Sequence, residues 1–401
     1  MANRCVLAYS GGLDTSVAIG WLRDKFGFDV VALAADVGQG VDHDALIARG
    51  RECGASETIV VDAREEFARD FVLKALRANA LYMGKYPLVS ALSRPVIVRH
   101  LVRVARELGA TAVAHGCTGK GNDQVRFEVS AAALAPDLEV LAPVRDAGLT
   151  RDAAISYAEE RGIPIPVTRS NPYSIDENLW GRTIECGVLE DPWTAPPLDA
   201  YQWTTHVSEA PDQPETMEIS FEAGVPTALD GGVTGLVDLI GSVARRAGAH
   251  GIGRVDMIED RLVGIKSREI YEVPGALTLI QAHRDLEDLT LERSVAAFKR
   301  GVEQTYAELV YNGLWYSPLR RALDAFIDAT QTAVTGDVRL RLHKGTAVVE
   351  GRRSPQALYS YALATYESGD LFDHDAAAGF TKLWGLPVKV WAEKQNPEEE
   401  R

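Results

Sequence analysis

The stretch AYSGGLDTS, Ala8 to Ser16, follows the first apolar run of the chain and precedes a helical pattern. Its segment Ser10–Ser16 holds two glycines, three hydroxyl side chains and one carboxylate. A strand followed by a glycine-rich turn and a helix directs backbone N–H groups and a helix N-terminus at an anion. The GxxxxGK[ST] spacing of a Walker A loop and the GxGxxG spacing are both absent from it. We therefore predict a phosphate-binding loop directly after the first strand.

Asp14 is the acidic residue of this loop, and its role has two readings. A carboxylate repels phosphates unless a cation lies between them, so Asp14 could contact a metal–phosphate cluster. Alternatively, it could be the N-cap of a helix that begins near Thr15. For the loop as a whole, the alternative to phosphate binding is an ordinary tight turn. The residues alone leave both pairs of readings open.

Beyond this loop, short apolar runs alternate with helical patterns through the first third of the chain. Buried parallel strands are predicted at Cys5–Tyr9, Asp29–Ala34, Glu57–Val61, Thr111–His115 and Glu139–Pro143. Helices are predicted at Thr15–Phe26, Arg64–Asn79 and Val96–Leu108. This alternation is typical of an α/β fold with a doubly wound, mainly parallel sheet. Ligands of such sheets bind at the carboxyl ends of the strands.

A change of pattern at Gly162–Ser174, which contains three prolines, predicts a domain boundary. The segment after it predicts an α+β domain, with strand pairs in Met217–Gly232 and Val338–Ser354. Its helices are predicted at Leu236–Ala247, Leu289–Leu309 and Ser317–Ala333. We therefore expect a nucleotide-binding domain at 1–165, an α+β domain at 170–355 and a tail with one helical part at 356–401.

Composition narrows the class of protein. The 401 residues are 46% hydrophobic and 25% charged, which is typical of a globular protein. A formal charge of -15 argues against a broad nucleic-acid-binding face. Four widely spaced cysteines form no zinc or disulfide pattern, which favours a reducing compartment. With no signal peptide and no membrane-spanning run in the sequence, we expect a soluble, cytoplasmic protein.

A second loop, HGCTGKGNDQVRFE, His115 to Glu128, also follows a strand and precedes a helix. It combines glycines with a lysine, a hydroxyl, an amide, a carboxylate and a guanidinium. Arg126 could pair with a carboxylate of a zwitterionic ligand, and Asp123 could pair with its ammonium group. The alternative is that Asn122 or Asp123 only caps the helix while Arg126 is solvated.

These segments carry a resemblance to a known family. SGGLDTS resembles the pyrophosphate loop of the N-type ATP pyrophosphatases, and AYSGGLDTS with GKGNDQVRFE resembles the argininosuccinate synthase family in particular. KYPLVSALSRP, NPYSIDENLWGRTIECG and IEDRLVGIKSREIYEVPGA are similar too, and the similarity weakens after about Ser360. It implies an ATP-dependent ligase of arginine biosynthesis. Such a ligase joins L-citrulline and L-aspartate into argininosuccinate through a citrullyl adenylate, releasing AMP and pyrophosphate.

The resemblance also implies roles for individual residues. ATP-binding positions are Ala8, Tyr9, Ser10, Gly11, Gly12, Leu13, Asp14, Thr15, Ser16, Ala35 and Gly116. Aspartate-binding positions are Thr118, Asn122 and Asp123. Citrulline-binding positions are Tyr86, Ser90, Asn122, Arg126, Ser174, Thr183, Glu259 and Tyr271. Asp14 and Asp123 are the catalytic candidates. Mg²⁺ is expected with ATP, without assigned ligands, and a homotetramer is expected, with the tail at its contacts.

Several of these positions have structural alternatives. Tyr86, which precedes a proline, could be a half-buried loop anchor. Ser90 stands beside Ala91, where some family members carry serine, so it either supplies that hydroxyl or the contact is missing. Ser174 with Glu177 has the spacing of a capping box. Thr183 could likewise be a cap.

The segment Ile258–Ala276 could be a charged sheet edge with weak ion pairs.

Two functional alternatives also remain from the sequence. A tRNA-thiolating enzyme would need reactive cysteines, for which Cys53 and Cys117 are the candidates. A nucleotide sensor without turnover would need the first loop but not the polar segments of the second domain. AMP release that depends on citrulline would separate these three functions.

Overall fold

A computed structural model describes residues 3–148, 151–164 and 173–395. The chain divides into two units, Met1–Gln356 and Ala357–Arg401. Most of the predicted boundary, residues 165–172, lies outside the described ranges. The division into three domains therefore stays a prediction.

A five-stranded parallel sheet forms the first part of the larger unit, as predicted. Its strands are β1 (Arg4–Ala8), β2 (Asp29–Asp36), β3 (Glu57–Asp62), β4 (Ala112–Ala114) and β5 (Glu139–Leu141). They lie in the order β3-β2-β1-β4-β5. The chain thus winds outward from β1 in one direction and from β4 in the other. The gap between the ends of β1 and β4 is the switch point at which doubly wound sheets bind ligands.

The two faces of β1 explain why it is a central strand. Cys5, Leu7 and Tyr9 are buried in one hydrophobic cluster, on the side of the first helix. Val6 and Ala8 point the other way into a second cluster. Alternate residues of a strand face opposite sides, so a strand buried on both faces is apolar at every position.

Eight helices pack around this sheet within the described ranges, and some of their bounds differ from prediction. They are α1 (Leu13–Phe26), α2 (His43–Glu52), α3 (Arg64–Phe67), α4 (Leu73–Arg77), α5 (Val89–Leu108), α6 (Asp123–Leu134), α7 (Pro143–Asp146) and α8 (Arg151–Arg161). The single helix expected at Arg64–Asn79 is interrupted by a π-helical turn at Ala68–Val72. The prediction that α5 starts at Val96 is wrong, because Pro95 lies inside the helix. Pro143 opens α7 instead of ending β5.

The rest of the larger unit contains two antiparallel sheets. One has the order β11-β12-β7-β6 and the other β10-β9-β8-β13-β14. Their strands are β6 (Ser174–Asn178), β7 (Gly181–Glu185), β8 (Glu215–Glu222), β9 (Val225–Leu229), β10 (Gly232–Val233), β11 (Arg254–Asp260), β12 (Lys266–Glu272), β13 (Gly336–His343) and β14 (Thr346–Arg353). Both predicted strand pairs are present. The capping box at Ser174 and Glu177 is wrong, and so is the cap at Thr183, because these residues lie within the β6–β7 hairpin.

Four helices accompany these sheets: α9 (Leu236–Ala249), α10 (Pro274–Thr290), α11 (Arg293–Tyr311) and α12 (Pro318–Gln331). The prediction of one helix over Leu289–Leu309 is wrong at its start, because the chain is extended at Leu291 and Glu292. The Glu292 side chain caps α11 by accepting hydrogen bonds from the backbone N–H groups of Ser294 and Val295. Overall, the α/β sheet followed by an α+β part agrees with the predicted fold class.

In its described residues, the smaller unit has three helices where one was predicted: α13 (Tyr361–Ala364), α14 (His374–Trp384) and α15 (Leu386–Gln395). In their described part, none of these helices has a buried residue. Large apolar side chains are exposed along them, and Trp384 is 72% exposed. Across the described ranges, no helix is long and apolar enough to cross a membrane.

Candidate functional site

The loops after β1 and β4 open into one cavity of about 780 Å³. Its walls also include parts of α5, α6 and the β11-β12-β7-β6 sheet. The predicted residues that line it are Ala8, Tyr9, Ser10, Asp14, Thr15, Ala35, Tyr86, Ser90, Gly116, Thr118, Asn122, Asp123, Arg126, Ser174, Thr183, Glu259 and Tyr271. Gly11, Gly12, Leu13 and Ser16 are outside this lining. Segments from Ala8 to Tyr271, far apart in the chain, therefore meet at the switch point.

The first loop is a tight turn that opens directly into α1. Gly12 is the N-cap and has extended backbone geometry. The Ser10 and Thr15 hydroxyl oxygens lie 3.2 Å apart, which ties the turn to the first turn of the helix. Gly11 has a φ of 76°, and a Cβ there would lie 2.5 Å from Leu46 Cδ1. Only glycine fits at that position without strain.

Asp14 lies in the first turn of α1, and this position excludes one of the two roles predicted for it. Because Gly12 is the N-cap, the reading of Asp14 as the cap is wrong. The Asp14 residue lines the cavity beside the loop. Leu13 and Ser16, on either side of it, are buried. A carboxylate is thus held at the positive end of a helix, where the helix dipole favours negative charge.

The second loop approaches the first one closely. A Cβ on Gly116 would lie 2.9 Å from Thr15 Cγ2, so the small residue allows the two loops to touch. At the end of this loop, Asn122 does not use its side chain as a cap. Its Nδ2 donates to the Tyr311 hydroxyl at 2.8 Å, and its Oδ1 accepts from Leu262 N at 2.9 Å. The capping alternative for Asn122 is therefore wrong.

Asp123 lies between two guanidinium groups. Arg94 Nη2 is 2.8 Å from one oxygen of Asp123, and Arg126 Nη1 is 2.9 Å from the other. Burial alone would raise the pKa of Asp123, but the charges of Arg94 and Arg126 lower it to about 2. Asp123 is therefore an ionised, rigidly held carboxylate. The alternative that it only caps α6 is wrong.

Arg126 is buried, with 4% of its surface exposed, so the alternative of a solvated side chain is wrong. Its Nε donates to the backbone oxygen of Tyr311 at 3.1 Å, and its Nη1 pairs with Asp123. Its Nη2 is buried without a hydrogen-bond partner among the described residues. A buried unsatisfied donor is costly, so this nitrogen is suited to an anionic oxygen of a ligand.

An aromatic and acidic wall faces Arg126. The rings of Tyr86 and Tyr271 stack with centroids 4.3 Å apart, and Tyr86 is buried rather than half-buried. The Tyr271 hydroxyl donates to Glu259, which also accepts from the Tyr311 hydroxyl at 2.7 Å. Burial raises the pKa of Glu259, although both hydroxyls favour its charged form. The reading of this segment as a weakly paired surface edge is wrong for Glu259 and Tyr271.

Two hydroxyl groups from different elements, α5 and β7, meet beside this wall. Ser90 Oγ donates to Asp176 Oδ2 at 2.5 Å and lies 3.4 Å from Thr183 Oγ1. Ser90, on α5, does face the cavity, whereas its neighbour Ala91 is buried and is not in the lining. Ser174 is the first residue of β6 and lies opposite Glu185 of β7.

Seven charged residues of the lining were not predicted as site residues: Arg94, Asp176, Glu177, Arg182, Glu185, Arg261 and Glu269. Arg261 Nη2 donates to Glu185 at 2.9 Å and to Glu269 at 2.5 Å. Burial, followed by the charge of Glu269, raises the pKa of Glu185 to about 7. One guanidinium thus holds two carboxylates on the cavity wall.

One signal in the sequence could have revealed Arg94. It follows Ser90 by four residues, so on a helix both face the same side. The prediction of a helix start at Val96 hid this spacing, because it placed Arg94 in a loop. Glu185 lies in β7, Glu269 lies in β12 and Arg261 lies in the turn between β11 and β12, so no helical spacing connects them.

Comparisons with known proteins agree with this architecture. The family model of the arginosuccinate synthase N-terminal HUP domain matches residues 4–164, and the model of the C-terminal domain matches residues 173–391. An argininosuccinate synthase from Brevibacillus brevis is 60% identical over 391 residues, covering 98% of this chain and 93% of the relative. Another from Limosilactobacillus reuteri is 58% identical over 399 residues, covering 100% and 97% respectively.

A solved structure of the U34-tRNA thiolase NcsA from Methanococcus maripaludis, with its 4Fe-4S cluster, is much less similar. It is 16% identical, covers 41% of this chain and 60% of its own, and has a TM-score of 0.29. A likeness at that level does not indicate a shared reaction.

The matches also extend into the tail. The similarity was expected to weaken after about Ser360, and the match to the family model extends past that point to residue 391. Both halves of the chain, including most of the smaller unit, are thus covered by the two models of one family. The chain therefore belongs to the argininosuccinate synthase family.

Proposed function

We propose that the cavity at the switch point joins L-citrulline to L-aspartate at the expense of ATP, releasing argininosuccinate, AMP and pyrophosphate. Argininosuccinate synthase activity forms a C–N bond, so the chain is a ligase. The main observation behind the proposal is that one cavity is lined both by the loop predicted to bind phosphate and by paired charged side chains that suit an amino acid. Family membership supports the use of ATP in particular.

ATP would lie along the ends of β1 and β2. The pyrophosphate would rest against Ser10–Gly12 and the N-terminus of α1, where backbone N–H groups point outward. Ser10 and Thr15 would add hydroxyl donors. The adenine would reach the backbone of Ala35, and Gly116 would leave room for the nucleotide between the loops. Stabilising the departing pyrophosphate is then an electrostatic task that needs no covalent intermediate on the protein.

Mg²⁺ fits this arrangement as a companion of ATP rather than as a resident ion. Within the described ranges, no group of three or more His, Cys, Asp or Glu side chains is arranged to hold a metal. Mg²⁺ commonly binds through one or two carboxylates together with substrate phosphates and water. Asp14, which lines the cavity beside the loop, would be the carboxylate that holds it. The ion would neutralise charge on the phosphates.

Citrulline would bind between Arg126 and the wall that holds Glu259 and Tyr271. The unpaired Nη2 of Arg126 would donate to the citrulline carboxylate, and Glu259 would attract its ammonium group. Tyr86, Ser90, Ser174 and Thr183 would complete this subsite. The ureido oxygen would then attack the α phosphate of ATP, which converts a poor leaving group into a phosphate ester. The rate gain would come mainly from orientation.

Aspartate would bind beside the second loop, at Thr118, Asn122 and Asp123. Its amine would attack the activated carbon, with AMP as the leaving group. The low pKa of Asp123, about 2, makes this residue a poor general base, because efficient bases titrate near the working pH. We therefore assign Asp123 to holding the ammonium group and not to removing its proton. The assignment of Asp14 and Asp123 as catalytic remains a proposal.

We further propose a homotetramer whose contacts involve the smaller unit. The exposed Phe380, Trp384 and Trp391 support this, because apolar side chains in such density commonly mark an interface. In light scattering, a chain truncated after Gln356 should then form particles with fewer chains than the full chain does. An equal number of chains per particle would exclude the tail from the contacts. The four cysteines are free, which supports a reducing compartment such as the cytoplasm.

The test of the reaction is AMP release with ATP, citrulline and aspartate, each omitted in turn. AMP and argininosuccinate should form only when all three are present. AMP formation without citrulline would contradict the proposed ligase reaction, and tight ATP binding without any turnover would indicate a nucleotide sensor. Asp14→Asn should abolish turnover if the carboxylate holds the metal–phosphate cluster. Asp146→Asn, on an exposed residue outside the cavity lining, is the matched control and should leave turnover unchanged.

A further inference from the structure

The edge of β2 is open where β1 ends. Tyr9 N donates to Leu33 O at 2.8 Å, and after Tyr9 the chain turns into the phosphate loop. On the other edge of β2, Ala63 N still donates to Asp36 O at 2.8 Å. Residues two apart in a strand face the same neighbour, so Ala35 faces the side that β1 has left, as Leu33 does. The next donor on that side is the backbone N–H of Val37.

The side chain of Gln39 fills this open edge. Its Nε2 donates to Ala35 O at 2.9 Å, and its Oε1 accepts from Val37 N at 2.6 Å. The carboxamide thus takes the place that the N–H and C=O of one further paired residue of a longer β1 would have. The opposite orientation of the amide would set two donors and two acceptors against each other, so the orientation is determined by its partners. Ala35, Val37 and Gln39 all line the cavity.

Adenine carries the same pair of groups. Its N6 amino group donates a hydrogen bond, and the neighbouring ring nitrogen accepts one. The backbone C=O of Ala35 and N–H of Val37 can therefore bind either the edge of an adenine or the Gln39 carboxamide, but not both. We propose that Gln39 occupies the adenine position of the empty enzyme and that ATP must displace it. This inference rests on the proposed function, in which the adenine of ATP reaches Ala35.

Two consequences follow from this competition. The apparent affinity for ATP is lowered by the fraction of molecules in which the position is filled. The same two backbone groups also select the base. Hypoxanthine carries an oxygen in place of the N6 amino group, and that oxygen would face Ala35 O. Inosine triphosphate should therefore displace Gln39 poorly.

The test compares nucleotide and pyrophosphate binding to full-length wild type and variants by calorimetry. Gln39→Ala frees the position, so its Kd for ATP should fall by about tenfold, given two modest hydrogen bonds. Its Kd for AMP should fall similarly. Its Kd for inorganic pyrophosphate should stay unchanged, because pyrophosphate does not reach β2. Gln39→Met keeps the bulk without donor or acceptor and should behave like Gln39→Ala. Gln304→Ala removes an exposed glutamine bonded to Glu308 and should change nothing.

Each contrary result has a separate meaning. Weaker ATP binding in Gln39→Ala would show that Gln39 holds the base, and would overturn the inference. An equal change for pyrophosphate would show a general effect on the site, which also overturns it. Wild-type affinity in Gln39→Met would show that bulk matters and not hydrogen bonding. If the wild type does not bind ATP at all, the proposed function itself fails, whereas unchanged ATP binding in Gln39→Ala refutes only this inference.

Discussion

Replacement of Arg126 by lysine tests how the cavity recognises a carboxylate. Lysine keeps the positive charge, so Asp123 retains an ionic partner. It cannot reproduce the planar fork with which Arg126 reaches Tyr311 O through Nε and Asp123 through Nη1 while leaving Nη2 for a ligand. The substitution thus separates the geometry of the guanidinium from its charge.

The size of the effect follows from what is lost. A hydrogen bond between a charged donor and a substrate carboxylate contributes about 1.5–3 kcal/mol. Its loss should lower kcat/KM for citrulline by about 10-fold to 150-fold. The unfolding free energy should fall by only about 1 kcal/mol, since the Tyr311 carbonyl loses a single donor. Arg126→Ala would be a poorer probe, because it also removes one of the two cations beside Asp123.

The assay is pyrophosphate release at saturating ATP and aspartate with citrulline varied, together with the Kd for ATP from calorimetry. Citrulline kinetics should change by at least about tenfold, while the Kd for ATP stays within about twofold of the wild-type value. Arg106→Lys is the control, because Arg106 pairs with Asp137 on the surface. Unchanged citrulline kinetics in Arg126→Lys would refute the placement of Arg126 in the substrate subsite.

Three further predictions concern stability and the phosphate loop. The pKa of Glu185 is about 7 in the folded chain and 4.5 when the chain is unfolded, so the folded chain holds this proton more tightly. The free energy of unfolding therefore falls as pH rises between these two values. Glu185→Gln should remove this fall in urea titrations. Glu272→Gln should lower the unfolding free energy by about 3–5 kcal/mol, because the buried Arg182 loses its nearer carboxylate at 2.9 Å and keeps only Glu177 at 3.5 Å. Gly11→Ala should weaken pyrophosphate binding by about tenfold, since a φ of 76° costs other residues about 1–2 kcal/mol.

Matched variants make these three predictions specific. Glu107→Gln breaks an exposed pair with Arg103 and should change stability by less than about 1 kcal/mol and without pH dependence. Gly27→Ala imposes a similar strain at a φ of 66° with no atom near the new Cβ, and should leave pyrophosphate binding intact. Equal effects of Gly11→Ala and Gly27→Ala on pyrophosphate would contradict the role of the loop.

The first sheet could be predicted because its strands are buried on both faces and read as apolar runs. Helix α10 could not, because buried polar residues such as His283 and Glu287 interrupt the apolar pattern of that helix. These two groups belong to a buried network with Asn79 and Lys299, so their burial depends on partners far away in the chain. Pro95 misled the prediction of α5 for a similar reason. The packing of Val89, Leu92 and their neighbours outweighs the hydrogen bond that the proline removes.

The site shows the same division between local and distant causes. The two loops carry their own chemistry, since glycines and hydroxyls within a few residues already indicate an anion site. The spacing within GKGNDQVRFE indicates a zwitterion site, but it does not reveal which groups orient Asp123 and Arg126. Arg94, which pairs with Asp123, comes from another helix, and Asp176, on the far side of Arg94, comes from a strand. Only the fold brings these three charges together.

Tyr311 is the clearest example of a residue whose role in the site no sequence motif predicts. Its hydroxyl accepts from Asn122 and donates to Glu259, and its backbone oxygen accepts from Arg126. Its ring stacks on Tyr82 with centroids 3.5 Å apart. The last residue of α11 therefore joins the second loop to the sheet that carries Glu259. Because both proposed amino-acid subsites share this one side chain, a shift of α11 would change the geometry of both at once.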